Sequence, residues 1–222
     1  RGQMRHLPLL FMGKRWIPTL ARKTALQKFR KTRKVENPRM RVGFFTGCLI
    51  NYIYVDIAEA VVDVLNKMDI EVVIPQRQLC CGTPSSTMGD VRSSKKLAEE
   101  NRKVFEALEL DAIVSACATC TKSIKNDYMR ILGPSWKNMS DKIYDISEFI
   151  DKFIGDIPGV KPIGDKVTYH DPCHLLWVRD ISEEPRNILK KSSRCVDMDM
   201  ADACCGGGRS FTIIPYHLTL KM

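Results

Sequence analysis

The stretches RVGFFTGC (residues 41–48), EVVIPQRQLCCG (71–82) and AIVSACATC (112–120) decide how this chain folds. Each opens with a short run of β-branched or aromatic residues and closes on cysteine. Residues 41–46 read as a buried strand, 71–74 as a second strand stopped by Pro75, and 112–116 as a third. Between them, 54–68 carries Ile57, Val61, Val64 and Leu65 at helical spacing. The stretch 91–108 does the same with Leu97, Val104, Phe105 and Leu108, and a third helix is predicted over 118–132. Strands alternating with helices predict an α/β fold, a parallel sheet covered on both faces. In such sheets the ligand crevice lies beyond the carboxyl ends of the strands. Cys48 and Cys117 follow strand ends directly, and Cys80 and Cys81 lie a few residues past another. Three separate cysteine groups are therefore expected to meet at one sheet edge.

The pattern then starts again. Cys173 follows Cys48 by 125 residues, and Cys204-Cys205-Gly206 follows Cys80-Cys81-Gly82 by 124. Around it, 166–170 reads as a strand, 183–191 as a helix behind Ser182, and 195–198 as a strand. A short helix over 147–154, with Asp145 and Glu148 at capping-box spacing, closes the first unit. The expected architecture is two pseudo-repeated three-layer lobes, 41–150 and 160–222, behind a connector over 1–40 with one or two short helices. No Cys-x-x-Cys follows Cys205, and the chain ends inside what reads as a helix. The second lobe is thus expected to be truncated and the chain to be a piece of a longer one.

Charge is distributed unevenly over the 222 residues. The net charge is +9, but residues 1–41 alone hold thirteen Lys and Arg against Glu36, which leaves the body slightly acidic. A basic arm contacts nucleic acid, anionic lipid or an acidic partner, or is a solvated linker or a helix packed on an upstream domain. The arm holds no nucleic-acid motif, so no nucleic-acid partner is expected. There is no secretion signal and no apolar run of bilayer length. The expected location is cytoplasmic, with the inner face of the membrane as a peripheral station. In that setting paired cysteines read as metal or redox sites rather than disulfides.

The donor set itself is unusual. Cys117-x-x-Cys120 offers two thiolates at a strand-to-helix turn, where the helix N-terminus favours anionic sulfur. Adjacent cysteines on an extended strand point apart, but beside Gly82 both can face one site, and the glycine lets backbone N–H groups approach sulfur. Zinc takes four ligands, and so does a cubic four-iron cluster. Five thiols here point to an iron–sulfur cluster of another shape, or to one cysteine with a different role. A zinc-stabilised interaction module is the alternative. Cys195 aligns with Glu71 and reads as a buried structural thiol. His170 and His174 flank Cys173 and read either as packed or capping residues or as proton donors and hydrogen-bond partners to a cluster. Gly206-Gly207-Gly208 before Arg209 lacks the spacing of a phosphate loop and reads as room around the second site.

The pattern Cys48-x31-Cys80-Cys81-Gly82-x34-Cys117-x-x-Cys120, begun again at His170-Asp171-Pro172-Cys173-His174 and Cys204-Cys205, resembles the cysteine-rich CCG domain over residues 41–222. That domain occurs in a cysteine-rich subunit of heterodisulfide reductases and in iron–sulfur subunits of glycolate and lactate oxidases and of anaerobic glycerol-3-phosphate dehydrogenase. The resemblance implies an electron-transfer subunit of an oxidoreductase, not catalytic alone. Cys48, Cys80, Cys81, Cys117 and Cys120 would hold one cluster of the 4Fe-4S or a non-cubane type. Cys173, Cys204 and Cys205 would begin a second. It further implies a flavin-containing dehydrogenase subunit as donor, a quinone or disulfide as acceptor, and an upstream ferredoxin-like domain.

Overall fold

The computed structural model describes residues 4–6, 16–30, 35–155, 157 and 159–206. The expected helix at the end of the chain, and Gly207, Gly208 and Arg209, lie outside the described residues. β1 (Met4–His6) and β2 (Trp16–Pro18) form a small antiparallel pair. α1 (Ala25–Lys28) starts on a capping box, Thr24 with Gln27. It does not stand apart from the body. Ala25 and Phe29 are buried in the main core, and the Leu26 N–H donates to the buried Asn51 side chain.

The centre of the fold is a four-stranded, all-parallel sheet in the order β4-β3-β5-β6. Its strands are β3 (Met40–Phe44), β4 (Ile70–Val73), β5 (Ala112–Ser115) and β6 (Ile143–Asp145). The three-residue β6 has no apolar run and was not foreseen from the sequence. Alternation along the strands divides the core in two. Val42, Phe44, Val72 and Val114 pack with Ala58, Val61 and Leu65 of α3 (Val55–Lys67) and with Phe149. Phe45, Val73, Ile113 and Ile143 pack on the other face with Ala98 and Phe105 of α5 (Val91–Glu106), Tyr128 and Trp136. Burial of one such phenylalanine stabilises the fold by about 2–3 kcal/mol.

Two helix faces differ from their sequence reading. On α3, Ile57 is exposed and Val64 only partly buried, because the helix turns Val55, Ala58, Val62 and Leu65 inward. On α5 the buried stripe is Ser94, Ala98, Asn101 and Phe105, with Leu97, Val104 and Leu108 at its margin. Small and polar residues let α5 lie close against the loop that carries Cys80.

Short helices follow the strands at the carboxyl edge. They are α2 (Gly47–Tyr52), α4 (Thr83–Thr87) and α6 (Ala118–Lys122). The helix predicted over 118–132 is continuous but widens to a π-turn over Ser123–Asp127 before α7 (Tyr128–Leu132). α8 (Lys137–Asp141) leads to β6, and α9 (Ile146–Phe149) has the predicted capping box between Asp145 and Glu148. The second region contains β7 (Lys166–Val167), α10 (Cys173–Arg179), α11 (Glu183–Ser192) and β8 (Arg194–Cys195), with β7 and β8 parallel. Cys195 is partly exposed there rather than buried, since a two-stranded sheet leaves it incompletely covered. Among the described residues no helix is long and apolar enough to cross a membrane.

Candidate metal centre

Strand order reverses between β3 and β5, since the chain moves from β3 outward to β4 and returns to β5 on the other side. Such a switch point opens a crevice at the carboxyl edge. Cys48 in α2, Cys80 and Cys81 after β4, and Cys117 and Cys120 around the start of α6 all reach it. Their sulfurs form a chain of contacts: Cys48 with Cys80, Cys80 with Cys81, Cys81 with Cys120, and Cys120 with Cys117. Cys81 and Cys120 are buried, the other three half-buried, and all five are free thiols.

Gly47 makes this approach possible. Its φ is +64°, and a Cβ there would stand 2.6 Å from the Cys120 sulfur. Any side chain would push α2 off the Cys120 loop. Gly82, at φ +85°, turns the chain between the cysteine pair and α4. Its N–H donates to the Cys80 sulfur, the Thr83 N–H to Cys81, and the Thr119 and Cys120 N–H groups to Cys117. Backbone donors aimed at sulfur favour the thiolate that a metal requires.

The same contacts divide the protons. The Cys80 thiol donates to Cys48 and lowers it to about 7; Cys80 is raised in turn. Cys120 likewise lowers Cys117 to about 7 and is itself raised well above the ordinary thiol range by its bonds to Cys117 and Cys81 and by burial. Cys81 accepts from Cys120, but its bond to Cys80 and its burial leave it raised. The two lowered thiols stand at the ends of the set with the three raised ones between them, a pattern that limits repulsion in a crowded site.

Each cysteine loop is gripped by a polar side chain that the sequence pattern does not single out. Gln78 is buried; its Oε1 accepts from the Thr46 N–H at 2.9 Å and its Nε2 donates to the Phe44 and Pro75 carbonyls. This ties the Cys48 approach to the Cys80 approach. Asn101 accepts from the Leu79 N–H at 2.7 Å and donates to the Cys80 carbonyl at 3.1 Å and to the Tyr128 oxygen at 2.9 Å. Ser123, in the π-turn, donates to the Cys81 carbonyl at 3.0 Å, and Thr121 to the Cys117 carbonyl at 3.2 Å. The one sequence signal was Asn101, a polar residue on a helix's buried stripe.

Cys173, Cys204 and Cys205 are exposed and do not join the five. Their loops are nevertheless braced. Asp171 forms a paired bond to Arg186, both contacts at 2.7 Å, and accepts from Ser182 at 2.9 Å; Arg186 also reaches Asp197. The Arg186 guanidinium holds the Asp171 carboxyl below the usual carboxylate range. His170 Nε2 bonds to the Ala203 carbonyl at 2.8 Å, a packing role that fixes the loop before Cys204. His174 Nδ1 lies 2.9 Å from the Thr119 hydroxyl, inside the Cys117-x-x-Cys120 turn. It links the two regions directly.

Five thiols at a strand-edge crevice, with backbone N–H groups on their sulfurs, fit an iron–sulfur group. Among the described residues no three His, Cys, Asp or Glu side chains stand as a site for a single metal ion.

Comparison with known proteins agrees with this chemistry. The model of the cysteine-rich CCG domain matches twice, over residues 42–125 and 167–221. The chain is 39% identical over 175 residues to a component of the fumarate reductase (CoM/CoB) of Methanothermobacter marburgensis, covering 78% of this chain and 34% of that one. It is 31% identical over 194 residues to a Bacillus subtilis protein named "Probable glycolate oxidase iron-sulfur subunit", covering 83% and 43%. With lactate utilization protein A of Bacillus velezensis it shares 30% identity over 193 residues, covering 82% and 79%. The chain thus spans about a third of the Methanothermobacter relative's length.

Proposed function

Because the chain belongs to the cysteine-rich CCG family, we propose that it is the iron–sulfur part of an electron-transfer oxidoreductase. The observation that carries this is the convergence of five sequence-distant thiols on one strand edge. Cys48, Cys80, Cys81, Cys117 and Cys120 hold a four-iron cluster, and the cluster supplies one-electron transfer when bound. The rest is the work of the chain. Gly47 admits the Cys120 sulfur, and Gln78, Asn101, Thr121 and Ser123 fix the loops. Backbone N–H groups stabilise charge on sulfur, and the two core faces exclude water from behind. Five converging thiols, one more than a tetrahedral zinc takes, support a polynuclear cluster over a single zinc.

We read residues 167–221 as a second copy of the same unit. Strand, cysteine-bearing helix, helix, parallel strand and a Cys-Cys-Gly turn with a positive-φ glycine follow in the same order in both regions. Cys173, Cys204 and Cys205 are its ligands, together with cysteines of the longer protein. In that protein an upstream ferredoxin-like domain passes electrons from a flavin-containing dehydrogenase subunit, acting on a 2-hydroxy acid such as glycolate or lactate, to a quinone or disulfide. The names of the relatives support a multi-subunit oxidoreductase. The reading places the complex in the cytoplasm, within reach of the inner membrane face.

Anaerobic purification of the full-length chain tests the proposal. Brown protein with broad visible absorption, iron and acid-labile sulfide is expected. Colourless protein holding zinc at one ion per site overturns it.

A further inference from the structure

The carboxyl edge of the sheet carries one buried acid that the cysteine site does not use. Asp145 ends β6 and is 4% exposed. It caps α9, and its register partner on β5 is Ser115, two residues before Cys117. Its Oδ2 stands 3.5 Å from the Thr121 hydroxyl, and that hydroxyl lies 3.2 Å from the Cys117 carbonyl. A buried carboxyl is therefore two contacts, through the Thr121 hydroxyl, from the backbone of a ligand turn. The Ser147 hydroxyl donates to Oδ1 at 2.6 Å, and Ser147 is partly exposed, so the carboxyl has a route to water.

We propose that Asp145 is the redox-linked proton acceptor of the first cysteine site, taking one proton from solvent when the site takes one electron. This rests on the functional reading above. The electron comes from a reduced flavin-type donor and the proton from water by way of Ser147. One O–H bond forms on the carboxyl, and reoxidation returns both particles. An electron added behind low-dielectric walls raises the proton affinity of a buried carboxylate close to it. The charged groups around Asp145 do not substitute for it. Glu148 on its own helix is paired with Arg179 of α10. Lys125, from the π-turn, is bonded to the Ile143 carbonyl, and Tyr169 faces Asp145 from the second region with its own proton held on by burial. Burial lifts the Asp145 carboxyl above its ordinary range despite the Ser147 bonds.

The test is the midpoint potential of the loaded full-length protein against pH. In the wild type the potential falls as pH rises through the Asp145 interval, by about 59 mV for each tenfold drop in proton concentration. Asp145→Asn keeps a good helix cap but cannot take the proton. It should give a flat profile, lying above the wild type at the alkaline end. Glu148→Gln should keep the slope. The same slope in Asp145→Asn, or its loss in Glu148→Gln, overturns the inference. Should Asp145→Asn not load, redox-difference infrared spectra of the wild type decide: a protonated carboxyl band must appear on reduction, and its absence overturns the inference. Wild-type protein that takes up no iron sinks the functional reading and this inference together. Loaded protein with a pH-independent potential sinks this inference alone.

Discussion

The regions around the first and second Cys-Cys-Gly turns share an order of elements but not a depth. In the first, four parallel strands and helices on both faces leave Cys81 and Cys120 buried. Among the described residues of the second, two strands of two residues carry the turn, and Cys173, Cys204 and Cys205 are exposed. Their braces differ as well. Gln78, Asn101, Ser123 and Thr121 hold the first region's loops through neutral hydrogen bonds. The described part of the second is braced by an ionic knot, Asp171 with Arg186 and Asp197, and by His170 on the Ala203 carbonyl. A cysteine motif aims its loop, while the depth of the sheet behind it decides whether the sulfurs are enclosed.

The largest effect should come from breaking the ionic knot. Arg186→Met strands the buried Asp171 carboxylate and should cost about 3–5 kcal/mol. Hydrogen exchange should show the loss across 166–206 while 40–145 stays protected; equal loss in both regions would mean that they fold as one unit. Next is Gly47→Ala. Positive φ alone costs about 1–3 kcal/mol, and the added methyl displaces the Cys120 sulfur, so iron content should fall with little change in the second region. Asn101→Leu leaves the Leu79 N–H and the Cys80 carbonyl without partners and should cost about 1–3 kcal/mol, read by urea melts of the cluster-free protein. His174→Ala removes the Thr119 contact between the regions and should cost about 1 kcal/mol, with faster exchange at 117–121 as its signature.

Proton sharing gives a further, graded test. Ligation requires thiolates, and of the five only Cys48 and Cys117 lie near 7, while Cys80, Cys81 and Cys120 are raised. Loading must therefore release protons and strengthen as pH rises. Cadmium titration of cluster-free protein, followed by its sulfur-to-metal absorption, should be tighter near pH ~8 than near pH ~6. Affinity that is independent of pH would contradict the proton assignment.

The central sheet was legible because β3, β4 and β5 are dense apolar runs that end at cysteine. Their carboxyl-edge position followed from topology alone. β6 was not legible, since three residues between Lys142 and Ile146 carry no periodic signal. The short helices α2 and α4 were hidden because they begin on the cysteine and glycine turns themselves. Ile57 misled the reading of α3 because its spacing also suits the edge of the apolar stripe. Gln78 and Ser123 sit among loop and helix residues of ordinary composition, so their partners, 32 to 42 residues away, appear only in three dimensions.

The central claim is that the five thiols of the first region, and not cysteine in general, hold the iron. Its most direct measurement is iron per chain in two variants of the full-length protein purified anaerobically. Cys81→Ser removes a buried member of the sulfur chain and should lose most of the first site's iron. Cys195→Ser alters a thiol in β8 outside the motif and should match the wild type. Equal loss in both variants, or full iron in Cys81→Ser, would contradict the assignment.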